Sequence, residues 1–244
     1  MFTPEERERV SGRLVDLARS DTRIAAAAFV GGSAHGAPDR WSDIDLTLGV
    51  AAPAGAGEVL DDWSRRVDRE LDAVHLFDIS SGPTMYRVFL LPGCLQVDLS
   101  FTPIDRFGAT GPRFELIFGE TADREHAKPP DAAELFGIAV HHALRARICI
   151  ERGRLWQAEH WLGGAREQVL AVASLRHGLD PWHGRGLDAL PEDVRIRFSG
   201  MLVRSLEPAE LLRALSVIVD RLLEQGDDLP AAPRIAERLG ELLA

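Results

Sequence analysis

The apolar residues of this chain change their spacing near its middle, and this change constrains the fold more than any other feature. Before it, apolar and polar residues alternate in stretches such as 43–50 and 95–101, which predicts half-buried β-strands. After it, apolar residues recur every three or four positions, which predicts packed helices. The segment His126–Pro130 between them ends in two prolines, which neither a helix nor a central strand accommodates. We therefore predict an α+β domain at 1–127 and an all-α helical domain at 131–244.

The first domain is predicted to combine β-strands with helices. Thr3 is a predicted N-cap, and Pro4 takes the first helical position after it. The predicted helices of the first domain are 4–20 and 57–71, and the predicted strands are 24–30, 43–50, 74–79, 86–91 and 95–101. No regular element is predicted between about 105 and 130. The predicted helices of the second domain are 131–150, 155–172, 192–202, 208–223 and 232–243.

The charge of the chain limits its partners. It has 28 basic and 38 acidic residues, a net charge of -10, which argues against nucleic-acid binding and against terminal transfer to RNA. Residues 1–125 hold 13 arginines and 21 acidic residues, a net charge of -8, so the acid excess lies in the first domain. This excess suits a small cationic partner. No stretch approaches the roughly 18 apolar residues of a membrane span, and the charged N-terminus has no secretory core, so we predict a cytoplasmic protein without a membrane partner.

A pair of aspartates carries the first chemical signal. Asp43 and Asp45 lie two residues apart on a predicted strand, so both side chains project from one face. Like charges this close are costly unless a cation neutralises them, and carboxylate oxygens suit Mg²⁺. Asp98 has the same setting on a later strand and would add a third carboxylate if the two strands are neighbours. An isolated pair of this kind is more often the solvated face of a strand, and it is Asp98 that favours a metal site.

A glycine turn carries the second signal. Gly31, Gly32 and Ser33 follow a predicted strand, and glycines allow a backbone to approach a phosphate closely. A short helix at 33–36 would point its N–H groups at that phosphate. His35 could contact the phosphate or simply fill the turn.

Together these residues resemble a known family. A Gly-Ser after a strand, an Asp-x-Asp ten residues later and a single Asp on a later strand resemble the nucleotidyltransferase superfamily, which contains DNA polymerase beta and the aminoglycoside and lincosamide nucleotidyltransferases. The resemblance implies a minimal nucleotidyltransferase domain, which is a mixed sheet with flanking helices, followed by an all-α helical bundle. It assigns Gly32 and Ser33 to the phosphates of a nucleoside triphosphate, ATP or another, and Asp43 and Asp45 to two Mg²⁺ ions. It implies that Asp98 binds one metal and helps to deprotonate the acceptor.

The implied reaction transfers a nucleoside monophosphate to a hydroxyl of a small acceptor and releases pyrophosphate. A cationic antibiotic such as an aminoglycoside or a lincosamide would be the acceptor, which implies a role in antibiotic resistance, and the protein would be a monomer or a homodimer. A second hypothesis is an antitoxin-like or regulatory protein that keeps the fold and could modify a protein partner. Glu159, Arg166 and the turn-rich segment 181–186 fit either contacts with substrate or ordinary surface and loop positions.

Overall fold

The protein is described by a computed structural model that covers residues 1–33, 41–126 and 128–243. The chain divides into two compact units, Met1–Ala127 and Lys128–Ala244. The first combines a sheet with helices and the second is helical, so the α+β class predicted from the sequence is confirmed. Residues 34–40 lie outside the described residues. They include His35 and most of the helix predicted at 33–36.

The first unit is built on a mixed sheet of six strands among the described residues. In spatial order the strands are β3-β4-β5-β2-β1-β6. Strands β2 and β5 pair in parallel, and all other neighbouring strands pair antiparallel. The strand bounds are β1 Ile24–Val30, β2 Ile44–Val50, β3 Val74–Ser81, β4 Thr84–Leu91, β5 Leu95–Pro103 and β6 Phe114–Phe118.

Two helices, α1 Pro4–Ser20 and α2 Ala56–Leu71, share a core with one face of this sheet. Helix α1 begins as predicted, because the Thr3 side chain accepts from the N–H of Glu6 while the Glu6 carboxylate accepts from the N–H of Thr3. Alternate residues of β2 and β5 fill the core, as their period of two requires. The core residues of the two strands are Ile44, Leu46, Leu48, Val50, Leu95, Val97, Leu99 and Phe101.

The structure corrects the sequence-based prediction at β6. Residues 114–118 form this edge strand beside β1, where no regular element was predicted. The strand has only five residues, and none of them is fully buried, so its sequence shows no clear alternation. Such a strand depends on pairing with a distant neighbour more than on local propensity.

The second unit contains five predicted helices, and all of them form. Their bounds are α3 Ala132–Glu151, α4 Leu155–Arg176, α5 Glu192–Ser199, α6 Pro208–Gln225 and α7 Ala232–Leu243. The Asp131 side chain caps α3 by accepting from the N–H of Ala133. No helix in the described part of the chain is long and apolar enough to cross a membrane.

Candidate active site

The parallel pair β2 and β5 brings the three predicted carboxylates together. Asp45 is the register partner of Asp98, and Asp43 precedes β2 by one residue. Each of the three offers a carboxylate oxygen, and these oxygens all lie within 4.8 Å of one another. No other group of three acidic, histidine or cysteine side chains has this geometry within 1–33, 41–126 and 128–243. All three aspartates are half-buried at the centre of the sheet.

The surroundings of Asp98 disfavour its negative charge. Burial raises the pKa of this carboxyl above its usual value, and the nearby charge of Asp43 raises it further. The side-chain amide of Gln96 donates to Oδ1 of Asp98 at 3.0 Å and offsets part of the rise. The Gln96 amide is a neutral donor. A cation beside Asp98 would therefore stabilise the charged carboxylate more than Gln96 does.

Helix α1 supplies a positioning residue that the sequence reasoning missed. Arg7 is 5% exposed, and its guanidinium donates to the backbone oxygens of Ser42 and Asp43, at 3.0 Å from Nε and 2.9 Å from Nη2. These bonds hold the backbone that leads into β2, and hence the start of the Asp-x-Asp motif. A signal was present, because Arg7 falls on the buried stripe of α1 with Ser11 and Leu14, where a charged residue requires partners.

The glycine turn lies directly against two of the carboxylates. Gly31 has a φ of 60°, in the left-handed region, and a Cβ added there would lie 2.6 Å from Oδ2 of Asp45. A Cβ at Gly32 would lie 4.0 Å from Oδ1 of Asp43. A short 3₁₀ turn, Gly31–Ser33, follows β1 at this point. Because Gly31 and Gly32 have no side chains, the backbone of this turn lies close to the carboxylates of Asp45 and Asp43.

The donor set fits a divalent cation of the Mg²⁺ type. Carboxylate oxygens are the hard ligands that such ions take, and one or two carboxylates are enough when water and phosphate oxygens complete the shell. The mutual approach of the three oxygens within 4.8 Å allows more than one of them to contact the same ion. Asp43, Asp45 and Asp98 are the residues that would hold it.

Other residues singled out in the sequence lie in the second unit. Glu159 and Arg166 are both on α4. The segment 181–186 contains a short 3₁₀ turn at Trp182–Gly184, which begins with the Asp180 carboxylate accepting from the N–H of Trp182 at 2.9 Å. This hydrogen bond gives the segment a structural role of its own as an Asx-type turn.

Fold and site together define an α+β protein with three clustered carboxylates beside a glycine turn. No protein-family model and no curated protein matches this chain. Among solved structures, the chain is similar to an aminoglycoside 6-adenyltransferase from Bacillus subtilis, with 12% identity, a TM-score of 0.43, and coverage of 100% of this chain and 98% of that one. It is also similar to MenT4, a nucleotidyltransferase toxin from Mycobacterium tuberculosis, with 14% identity, a TM-score of 0.24 and the same two coverages. Both are nucleotidyltransferases by name.

Proposed function

We propose that this chain is a metal-dependent nucleotidyltransferase. It would transfer a nucleoside monophosphate from ATP or another nucleoside triphosphate to a hydroxyl of a small acceptor, with release of pyrophosphate. The observation that carries the proposal is the clustering of Asp43, Asp45 and Asp98 within 4.8 Å next to the turn at Gly31. Residues 1–127 would form the nucleotidyltransferase domain and 131–244 a helical domain. Its dependence on a nucleoside triphosphate suits a cytoplasmic enzyme.

Each residue has a proposed role. Asp43 and Asp45 hold Mg²⁺, and Asp98 shares in this binding and accepts the proton of the attacking hydroxyl. The backbone N–H groups of Gly32 and Ser33 donate to phosphate oxygens of the nucleotide. Bound Mg²⁺ supplies charge neutralisation on the triphosphate during an in-line displacement. The acceptor oxygen forms a bond to the α-phosphorus while the bond from that phosphorus to the pyrophosphate oxygen breaks.

The acid excess of the first unit bears on the acceptor. A net charge of -8 over residues 1–125 attracts cationic molecules and favours their approach to the site. A cationic antibiotic, either an aminoglycoside or a lincosamide, is the acceptor we propose, and its modification would confer resistance.

The test is a transfer assay on the full chain. The protein is incubated with Mg²⁺, ATP or GTP labelled at the α-phosphate, and a panel of hydroxylated cationic acceptors, and both labelled acceptor and pyrophosphate are measured. We expect transfer to at least one acceptor, and its loss in an Asp43→Ala, Asp45→Ala double variant. Asp16→Ala is the control, because Asp16 is an exposed aspartate on α1. Equal pyrophosphate release by the double variant and the unmodified chain would exclude the proposed activity.

A further inference from the structure

The face of the sheet that carries the carboxylates continues onto strands β4 and β3. Val88 of β4 is the register partner of Asp98, and Phe77 of β3 is the partner of Val88. One step along the strands, Ile79 pairs with Tyr86. Directly paired residues of neighbouring antiparallel strands project from the same face. These four side chains therefore lie on the same face of the sheet as Asp98.

This part of the face is apolar and open. Phe77 is 50% exposed and Ile79 52%, while Tyr86 and Leu90 are each 37% exposed. Val88 is 5% exposed and lies at the centre of the group, since its register partner is Phe77 and its strand neighbours on this face are Tyr86 and Leu90. We call the five residues Phe77, Ile79, Tyr86, Val88 and Leu90 the apolar platform.

The opposite face of the same two strands contributes Phe89 and Leu91 to the core of the first unit, and it also carries polar residues that pair with each other. Arg87 donates to both carboxylate oxygens of Asp78, at 2.7 and 2.6 Å, and also to Ser64 and Asp61 of α2. The apolar platform thus lies on the face away from this core, with Phe77, Ile79, Tyr86 and Leu90 exposed. Contiguous exposed apolar surface of this kind is typical of binding sites.

The sheet geometry sets the distance from the platform to the carboxylates. Neighbouring strands are about 4.8 Å apart, so Val88 lies about 5 Å from Asp98 across the sheet and Phe77 lies about 10 Å away. A small molecule with a hydroxyl at Asp98 and a body of this length would extend past the buried Val88 and reach the exposed Phe77. A large protein partner seated on the platform would also cover Asp98, which the proposed reaction requires open.

We propose that the apolar platform binds the acceptor, and that the acceptor is amphiphilic. It would carry an apolar ring or alkyl group about 10 Å from the reacting hydroxyl. This inference rests on the proposed function, and it narrows the acceptors to molecules with an apolar part. Of the cationic acceptors proposed above, it therefore favours those with an apolar part over a polycationic amino-sugar, which is polar on every side and would gain little from contact with Phe77 and Ile79.

Two neutral glucosides test the platform directly. Binding of 2-naphthyl β-D-glucoside and methyl β-D-glucoside to the full chain is measured by calorimetry and ligand-observed NMR. We expect the naphthyl glucoside to bind at least tenfold more tightly. A Phe77→Ser, Ile79→Ser variant should lose this preference, and an Ile196→Ser, Leu202→Ser variant should keep it, because those two residues are similarly exposed but belong to the second unit. A wild-type chain without the preference, or a platform variant that keeps it, would overturn the inference.

Replacing Mg²⁺ by Mn²⁺ adds a distance measurement. Paramagnetic Mn²⁺ held by Asp43, Asp45 and Asp98 should broaden the naphthyl proton signals of the bound probe. The Asp43→Ala, Asp45→Ala variant should still bind the probe without broadening it. Binding without broadening in the wild-type chain would place the probe elsewhere and overturn the inference. Circular dichroism checks that the platform variant is folded, and Leu90→Ser serves as a milder second variant.

The outcomes separate this inference from the function on which it rests. If the chain transfers nucleotides but shows no preference for the naphthyl glucoside, the platform does not bind the acceptor, and the proposed enzymatic activity stands. If the naphthyl glucoside binds with the expected broadening but no acceptor leads to pyrophosphate release, the proposed enzymatic activity is wrong. The platform would then still be a binding site for amphiphilic molecules. A dimer that the Phe77→Ser, Ile79→Ser variant dissociates in sedimentation, with no probe bound, would show that the platform joins two copies of the chain and would also overturn the inference.

Discussion

Two aspartates of the first unit lie in opposite electrostatic settings. Asp21, which follows α1, accepts from Nε and Nη2 of Arg23 at 3.0 and 2.9 Å, and from the indole N–H of Trp63 at 3.0 Å. The hydrogen bonds from Arg23 are the main reason that the pKa of Asp21 is lowered to about 2. Burial instead raises the pKa of Asp98, whose donor is the neutral amide of Gln96.

These two settings indicate different roles for the two aspartates, one in stability and the other in activity. The charge of Asp21 is neutralised by a guanidinium within the fold, so it contributes to stability. The charge of Asp98 is disfavoured by its surroundings, and carboxylates with perturbed pKa values cluster at functional sites. Substitution should therefore affect stability at Asp21 and activity at Asp98.

The largest expected effect is at Asp98. Asp98→Asn should lower the rate of nucleotidyl transfer by roughly a thousandfold, because it removes a carboxylate from the group that would bind the metal and take the proton. Its melting temperature in EDTA should not fall, because the substitution removes a charge that burial disfavours. Transfer kinetics and thermal unfolding by circular dichroism provide the two measurements. An unfolded variant or one with unchanged activity would contradict the proposed role.

Gly31 is expected to show the next largest effect. In Gly31→Ala, the new Cβ would lie 2.6 Å from Oδ2 of Asp45 and would displace that carboxylate. We expect a loss of Mg²⁺ affinity of about tenfold to a hundredfold, as for residues that orient metal ligands. Calorimetric titration with Mg²⁺ measures this loss.

The control for Gly31→Ala is Gly82→Ala. Gly82 has a φ of 56°, close to that of Gly31, but a Cβ there would meet no atom of the described residues within 4 Å. Both variants carry the same backbone strain, of the order of 1 kcal/mol. Only Gly31→Ala should lose metal affinity, and equal losses in both would refute the contact with Asp45 as the cause.

A smaller effect is expected at Arg7. Arg7→Gln should leave the backbone oxygens of Ser42 and Asp43 with weaker donors and lower the free energy of unfolding by about 1 to 3 kcal/mol. The Mg²⁺ concentration for half-maximal activity should rise about tenfold, because Arg7 positions the Asp-x-Asp motif through its backbone. Urea unfolding and the Mg²⁺ dependence of transfer test both effects. Arg9→Gln, at an exposed position of the same helix, should change neither.

The sequence predicted the strands on which this candidate site lies. Alternation identified the strands that carry Asp45 and Asp98, because a period of two is a local property. The parallel pairing of β2 with β5, in a register that sets these residues opposite each other, joins positions more than fifty residues apart and has no local signal. Edge strand β6 was missed for the same reason, since it forms against β1. The platform was missed because its exposure depends on which face of β3 and β4 meets α2.

Substitution of Asp21 should have the opposite effect to substitution of Asp98. We expect it to lower stability and to leave activity unchanged. Asp21→Asn should lower the free energy of unfolding at pH 7 by about 2 kcal/mol, the value that corresponds to a pKa lowered from 3.8 to about 2. Because the pKa is lower in the folded state, this contribution is complete above about pH 4 and disappears as the pH falls towards 2. Urea unfolding between pH 7 and pH 2 should therefore show the variant and the wild-type chain converging at acid pH. A difference that persists at pH 2 would mean that lost packing, and not the charge of Asp21, is responsible.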